Sequence, residues 1–462
     1  MDTPSLITLD YTLYDLYAVD SKDGQNSVLI YYPLQFGHTH ESTSAKFTYG
    51  YKVEEEDEDA TSALTMAANL VPQRYAFSAG RMPLVILDVI AQRRVGGESE
   101  GDPKATDSVP AHHLDIYQTF AQLQQDQRPI VSFAKHPDSI ELGLDARIAV
   151  LQPTDCLSHL PHLTCPETHY EILSKRGLAV SGLPTPLSRV IDTMLANYED
   201  PSLLAIEAAR MTESIEQHQI PFMVKLPQSI SGMGTFAVTS ETDRTRIKAM
   251  LTTQLGAMLR QLNQTNRHLY PCSMVLQDFV DGPVVALSLF VTKTGQPIFI
   301  ACCEQLFDDQ SHWIGGCISY RQQAGFRKTF CALTGKVAAF LHRKGYHGPA
   351  GVDIVIDRQS GEQLVIDLNV RVTGTFHLGP LTGHFTRRGL FEAAMISGRL
   401  FCTRDEFEEV FSKEIGEGSL IVSGWVHNES RSKSHAAITV GARDYDSLQE
   451  YLERVRAVGL QN

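Results

Sequence analysis

The stretch Gly351–Arg371, GVDIVIDRQSGEQLVIDLNVR, decides how this chain is read. Its alternation predicts two strands, Gly351–Ile356 and Gln363–Leu368, joined by the turn-like Asp357–Glu362 with Gly361 near the tip. A hairpin folded symmetrically about Ser360 sets Ile354 opposite Ile366, Val355 opposite Val365 and Ile356 opposite Leu364. The same register makes Asp353 face Asp367, and Asn369, two residues on, points to the same side. Side chains paired in this way stand about 5 Å apart, where like charges repel. Two carboxylates and an amide oxygen on one face make chemical sense around a hard cation. Mg2+ is the natural candidate, since it takes oxygen ligands and shares them with phosphates. A solvated hairpin face with two incidental acids is the alternative that these residues alone leave open.

With 462 residues the chain can bury more than one core, and two to four domains are expected. A composition of 43% hydrophobic and 20% charged residues is ordinary for a soluble globular protein. The net charge of −14, with no Lys/Arg-rich run, argues against nucleic acid as a partner. Met1–Asp10 lacks a basic segment followed by an apolar one, and no apolar run approaches a membrane span. Eight cysteines form no CxxC and no Cys/His metal spacing, which predicts free thiols in a reducing, cytoplasmic setting.

Along the chain, Ser27–Tyr32, Pro83–Ile90, Pro129–Phe133 and Ile148–Leu151 read as buried strands of a small α/β domain over residues 1–165. The acidic run Glu54–Asp59 and the polar Gly96–Pro110 read as solvated loops. From Cys165 the character shifts to a short helix and a Pro-bounded turn, opening a central region over 166–400. There, Pro221–Leu226, Gly234–Thr239, Met274–Val280, Val284–Val291 and Pro297–Cys302 are expected strands. Glu241–Gln264 is an amphipathic helix with Ile247, Leu251, Leu255, Met258, Leu259 and Leu262 on one stripe. Phe330–Lys344 and Gly389–Leu400 read as further helices. Ser419–His427, Ala436–Val440 and the helix Tyr445–Val455 suggest a small α+β tail domain over 401–462.

Two more stretches carry chemistry. In Pro221–Gly234, PFMVKLPQSISGMG, a strand ends in Lys225 before a loop holding Ser229, Ser231, Gly232 and Gly234. Glycines let backbone N–H groups approach an anion, and a lysine at the loop base adds a point charge for phosphate oxygens. An ordinary Gly-containing hairpin turn is the alternative, and the GxxxxGK[ST] pattern of a Walker A loop is missing. In Met274–Gly282, MVLQDFVDG, an edge strand can offer its main chain and Gln277 to an adenine, or it can be a plain strand and turn.

Taken in order, Lys175 before a Pro-bounded turn, Lys225 with its Gly loop, QDFVDG, and Asp353…Asp367-x-Asn369-x-Arg371 resemble the ATP-grasp superfamily over roughly Thr168–Leu400. The resemblance implies an α/β (α+β) ATP-grasp fold: a pre-ATP-grasp α/β domain, a two-lobed ATP-binding region with a lid subdomain over about 175–282, and a small C-terminal domain. It implies ATP and Mg2+ as cofactors, and a carboxylate and an amine as small-molecule substrates. Lys175 and Lys225 would contact the α- and β-phosphates, and Ser231, Gly232 and Gly234 would cover them. Gln277, Asp278 and Val280 would hold the adenine, the last two through backbone groups. Asp353, Asp367 and Asn369 would bind one or two Mg2+ ions, while Arg371 would stabilise an acyl phosphate and the oxyanion of its adduct. Within the superfamily, the first domain and LSKRGLAVSGLPTP (Leu173–Pro186) look most like peptide and amide ligases of natural-product pathways related to the pheganomycin peptide ligase.

Two departures stand out. Val284 occupies the position where many members carry a ribose-binding Glu, and Asp367 stands where Glu is commoner. Neither removes a charge needed for phosphoryl transfer. Glu304 and Arg321, flanking SHWIGG, are candidates for touching the carboxylate substrate, and His377 and His384 for orienting the amine, although histidines in such loops are commonly structural. The set implies a carboxylate–amine ligase. A kinase of the same superfamily or a non-catalytic ATP-binding protein are the alternatives. ATP-grasp ligases are often dimers, which leaves a homodimer open.

Overall fold

The computed structural model describes residues 6–20, 26–31, 45–49, 69–87, 110–195, 197–229, 234–308, 312–428 and 432–459. Glu54–Asp59, nearly all of Gly96–Pro110, and the predicted strand ends at Tyr32 and at residues 88–90 lie outside them.

Four strands of the first region, β1 (Ser27–Tyr31), β2 (Pro83–Leu87), β3 (Ile130–Ala134) and β4 (Arg147–Val150), form a parallel sheet in the order β3-β2-β1-β4. The continuous apolar runs of β1 and β2 fit a parallel sheet whose inner strands are covered on both faces.

A second, antiparallel sheet of β5 (Ser188–Ile191), β6 (Phe222–Lys225), β7 (Thr235–Val238) and β8 (Met274–Asp278) has the order β5-β8-β6-β7. The helix Glu241–Leu259 packs on it through the expected stripe, with Ile247, Leu251, Leu255, Met258 and Leu259 all buried. Each such buried aliphatic side chain contributes roughly 1.5–3 kcal/mol. Ser240 caps that helix, accepting from the Asp243 N–H at 3.1 Å. Leu204, Met211 and Ile215 of the helix Pro201–Gln217 complete this core.

The largest sheet contains β9 (Val284–Val291), β10 (Pro297–Phe307), β11 (Trp313–Ser319), β12 (Gly348–Ile356), β13 (Gln363–Asn369), β14 (Glu392–Leu400), β15 (Leu420–Asn428) and β16 (Lys433–Ala442). Its order is β13-β12-β9-β10-β11-β14-β16-β15. The segment Gly389–Leu400, expected as a helix, is therefore strand β14. Ala393–Ile396 are buried between β11 and β16, and their small and medium apolar side chains satisfy a strand covered on both faces as well as a helix. The expected C-terminal strands build no sheet of their own: β15 and β16 extend the central one. Leu13, Phe77 and Leu84 of the first region share one core with Phe376, Phe385 and Met395, so the parallel sheet is anchored against the central sheet.

Candidate active site

Strands β12 and β13 pair as the sequence predicts at the position that matters: Asp353 stands opposite Asp367 and Gly351 opposite Asn369. The rest of the hairpin is not symmetric. Ile354 pairs with Val365, Val355 with Leu364 and Ile356 with Gln363, because a bulge extrudes Ile366. That bulge has a use. Lys225, at the end of β6 in the smaller sheet, donates to the Ile366 carbonyl at 2.7 Å and to Gln277 Oε1 at 2.7 Å. Gln277 in turn donates to Ser188 Oγ at 3.1 Å. Two sheets are thus tied together at one buried ammonium, which burial pulls down to about 8.

Lys175 reaches the same hairpin from another side. Ser174 caps the short helix Lys175–Ala179 by accepting from the Gly177 N–H at 2.7 Å. The Lys175 backbone N–H donates to the Pro227 carbonyl at 2.8 Å, and its ammonium pairs with Asp367. Asp367 Oδ1 also accepts from the Leu368 N–H at 2.8 Å. Burial pushes both facing carboxyls up, but they part company. The charges of Lys175, Lys225 and Arg371 hold Asp367 below the ordinary aspartate range. Asp353 is raised, first by burial and then by Asp367, against a hydrogen bond from Gln305.

These groups line a cleft of ≈ 370 Å3. Lys175, Lys225, Ser229, Glu304, Asp353, Asp367, Asn369 and Arg371 all border it, as does Val284 at the start of β9. Two carboxylates and an amide oxygen fit the hard-oxygen preference of Mg2+, which is commonly held by one or two carboxylates plus substrate phosphates. Among the described residues no group of three or more His, Cys, Asp or Glu is gathered for a metal, so the remaining ligands would come from nucleotide and water.

Other expected residues sit elsewhere. Ser231 and Gly232 lie outside the described residues. Gly234 closes the loop: its carbonyl accepts from the Leu226 N–H at 2.8 Å, and its φ of +79° is one that side chains rarely adopt. Gln277 is buried and spends its amide on Lys225 and Ser188, so it steadies a lysine instead of facing open space. The Asp278 N–H donates to the Leu187 carbonyl at 2.8 Å and its carboxylate meets His218 at 2.9 Å. Among the described residues no hydrogen bond engages the Val280 main chain, which leaves it able to meet a base.

Arg321 and the two histidines do not border the cleft. The exposed Arg321 follows the end of β11, and its guanidinium lies 4.2 Å from the Phe391 ring centroid. His377 is buried with Nε2 2.9 Å from Thr439 Oγ1, and His384 is buried with Nε2 donating to the Gly418 carbonyl at 2.8 Å. Both rings are packing groups, because the loop after Arg371 folds inward beneath the central sheet.

Several residues that line the cleft or hold its turns carry no sequence signal. Gln305, in strand β10, lines the cleft with Asp353. His169 donates from Nε2 to the Val370 carbonyl at 2.7 Å and so pins the turn carrying Arg371. Burial lowers that imidazole to about 4, keeping it neutral. Tyr75, from the helical residues 69–76, lines the cleft beside Arg371.

Residues 213–375 match the family model of the ATP-grasp domain. No curated protein matches the chain in sequence. Among solved structures, the ADP complex of purK, an N5-carboxyaminoimidazole ribonucleotide synthetase, aligns at a TM-score of 0.50 with 10% identity, covering 84% of this chain and 93% of that one. The corresponding synthetase from Thermus thermophilus aligns at 0.48 with 13% identity, over 84% of this chain and 95% of that one. An L-amino acid ligase from Bacillus licheniformis aligns at 0.46 with 13% identity, over 85% and 96%. The first of these likenesses shows the fold: a mixed α/β architecture built around an ATP-grasp domain.

Proposed function

We propose that this chain, built around an ATP-grasp domain, is an ATP- and Mg2+-dependent ligase that joins a carboxylate to an amine through an acyl phosphate. The observation that carries the reading is the convergence of Lys175 and Lys225 on the hairpin that sets Asp353 against Asp367, with Arg371 at the same cleft.

Phosphoryl transfer asks a protein for alignment and charge neutralisation more than for covalent help. Lys175 and Lys225 supply fixed positive charge for the phosphates, and Asp353, Asp367 and Asn369 would hold Mg2+. That cation, when bound, would supply further neutralisation of phosphate charge. The substrate carboxylate oxygen attacks the γ-phosphorus and the bond to the β-phosphate oxygen breaks, leaving ADP. The amine then adds to the acyl carbon, phosphate departs with the electron pair of the C–O bond, and the surplus N–H proton leaves with the phosphate. A planar, permanently charged guanidinium at Arg371 suits both the acyl phosphate and the oxyanion of the adduct. Closure of the smaller sheet, with Gly234 at its loop, would keep water from the acyl phosphate.

Adenine would meet the main chain at Val280. An amino acid or small peptide is the proposed nucleophile, as the likeness of Leu173–Pro186 to natural-product peptide ligases suggests.

The test is phosphate release against a panel of carboxylic acids paired with amino acids. Release that requires both partners, with one amide formed per ADP, is expected. A stable phosphoester formed without an amine would identify a kinase, and nucleotide binding without turnover on any pair would identify a non-catalytic protein.

A further inference from the structure

A smaller cavity lies where the parallel sheet meets the turn after the β12–β13 hairpin. It measures ≈ 30 Å3 and is walled by Leu29 and Tyr31 of β1, by residues 148–151 at the end of β4, and by Arg371 and Val372. In the order β3-β2-β1-β4 the chain leaves β1 on one side for β2 and returns on the other as β4. The cavity is thus at the carboxyl ends of the two strands between which the winding reverses, the place where open α/β sheets receive ligands. Arg371 lines this cavity and the main cleft alike, and the Tyr31 ring centroid is 6.5 Å from that of Tyr75, which borders the cleft. The two spaces are neighbours across one guanidinium.

Two hydroxyls on its wall have nothing to bond. Tyr31 is 3% exposed and Thr164 7% exposed, and among the described residues neither Tyr31 Oη nor Thr164 Oγ1 has a hydrogen-bond partner. Buried polar groups are seldom left so, because each gives up its bonds to water without replacement. Burial holds the Tyr31 phenol well above the ordinary tyrosine range, which keeps its proton available for donation. Arg371 is the only charged side chain among the described residues that line the cavity. Burial lowers His162, His169 and His347, so these lining rings bring no charge near pH 7. Two donors beside a guanidinium, with no acid among them, favour a carboxylate and disfavour an ammonium.

We propose that this cavity holds the carboxylate of an amino-acid nucleophile, with Tyr31 and Thr164 donating to it, while the amine of the same molecule faces the acyl phosphate across Arg371. The inference rests on the reading of the cleft as that of a ligase whose amine is an amino acid. Such a nucleophile brings a carboxylate of its own, which competes for phosphorylation if it reaches the nucleotide. Holding that group on the far side of Arg371 keeps it from the γ-phosphate and leaves the other acid as the one activated. At ≈ 30 Å3, about one water's share of the liquid, the cavity admits a small end group and not a nucleotide or a peptide chain. The amine and side chain of the acceptor therefore stay in the larger cleft.

The experiment is a calorimetric titration of the full chain, in the presence of ADP and Mg2+, with glycine, L-alanine and L-leucine, each beside its carboxamide. The wild type is expected to bind the best of the three amino acids about 10- to 100-fold more tightly than its carboxamide, the range of hydrogen bonds to a charged group. In Tyr31→Phe and in Thr164→Val that ratio is expected to fall by about 10-fold, and Thr164→Ser, which keeps a hydroxyl, is expected to retain it. Deleting a hydroxyl that bonds nothing should leave the melting temperature of the free protein unchanged or raised, and a thermal melt shows that each variant is folded. Equal binding of amino acid and carboxamide by the wild type overturns the proposal, as does no binding of any of the three. A ratio that survives undiminished in both Tyr31→Phe and Thr164→Val overturns it too, since the cavity then takes an ordered water only. Where a variant does not fold, the wild-type ratio decides. Binding is read without turnover, so a preference for the carboxylate in a protein that releases no phosphate would count against the ligase reading and not against this site. Turnover that accepts the carboxamide as readily as the amino acid would count against the site alone.

Discussion

Asp353 and Asp367 face each other across adjacent antiparallel strands, yet only Asp367 is paired with a lysine. The two carboxylates are therefore unequal in the absence of a cation, and replacing each by its amide should have opposite effects on stability. Asp353→Asn removes a like-charge contact and should stabilise the cation-free protein by about 1 kcal/mol. Asp367→Asn leaves Lys175, whose side chain is only 8% exposed, without its partner, and should destabilise by about 3–5 kcal/mol. Both should lower Mg2+-dependent turnover by at least about 100-fold, the scale of losing one electrostatic contact to a transition state. Urea unfolding in EDTA beside Mg2+ titrations of turnover checks all four outcomes. Equal stability changes in the two variants would contradict the asymmetry.

Arg371→Ala should separate nucleotide binding from chemistry. The side chain follows the hairpin, and the turn carrying it is pinned through Val370 by His169, not by the guanidinium itself. Affinity for ATP should stay within a few-fold of wild type, while amide formation should fall by about 100- to 1,000-fold. Nucleotide titration and product analysis on the same sample check this, and unchanged turnover would remove Arg371 from the mechanism.

The part of the site that could be read from the sequence is the part governed by local periodicity. Side chains in a strand alternate with a period of two, so a short turn between two alternating runs was enough to set Asp353 against Asp367. The bulge at Ile366 was hidden, because it is selected by a lysine in another sheet that needs a carbonyl. Gly389–Leu400 was misread for a related reason. The run around Ala393–Ile396 is apolar on every side, and only its neighbours β11 and β16 decide that it is extended. Arg74 and Tyr75 were invisible because nothing near them in sequence hints that Arg371 lies beside them in space. His377 and His384 showed the opposite failure: histidines close to Arg371 in sequence proved to be core groups.

Tyr75→Phe should act on the rate and not on folding. The hydroxyl accepts from Arg74 Nη2 at 3.3 Å, and Tyr75 lines the same cleft as Arg371, whose charge acts on it. Burial alone would raise this phenol, but the two guanidinia outweigh it and hold the group below the ordinary tyrosine range, a sign of how strongly they engage the oxygen. Losing that oxygen removes a polar neighbour of Arg371 on the cleft wall, so kcat should drop by about 10-fold, the scale of one contact to a charged group. KM for the acid should change by less than about 3-fold, since Arg371 keeps its charge. A purely packing role for Tyr75 would leave kcat untouched, and steady-state kinetics with the acid varied distinguishes the two.

Three fully packed histidines should make the fold sensitive to mild acid. Burial lowers His169 and His384 to about 4 and His377 to about 3, so all three are neutral in the folded chain near pH 7. An unfolded histidine takes up its proton near pH 6.5. The folded pKa values are depressed, so their contribution is complete above about pH 6.5 and is lost as pH falls towards 4. By pH 5 each costs about 2 kcal/mol of stability, so the three together cost about 6. Asp115 works in the other direction. Burial raises it to about 6, and its protonation in the folded chain returns about 1 kcal/mol over the same interval; Asp353, raised by burial and by Asp367, acts in the same direction. With His435, which burial also lowers to about 4, the histidines outweigh these carboxyls, and the urea midpoint should fall between pH 7.5 and pH 5, above the range where ordinary carboxylates titrate. Replacing His169 by Gln, which can still donate to the Val370 carbonyl but does not titrate, should flatten that decline measurably. A midpoint that holds constant from pH 7.5 to pH 5 would mean that these rings are not held neutral in the core.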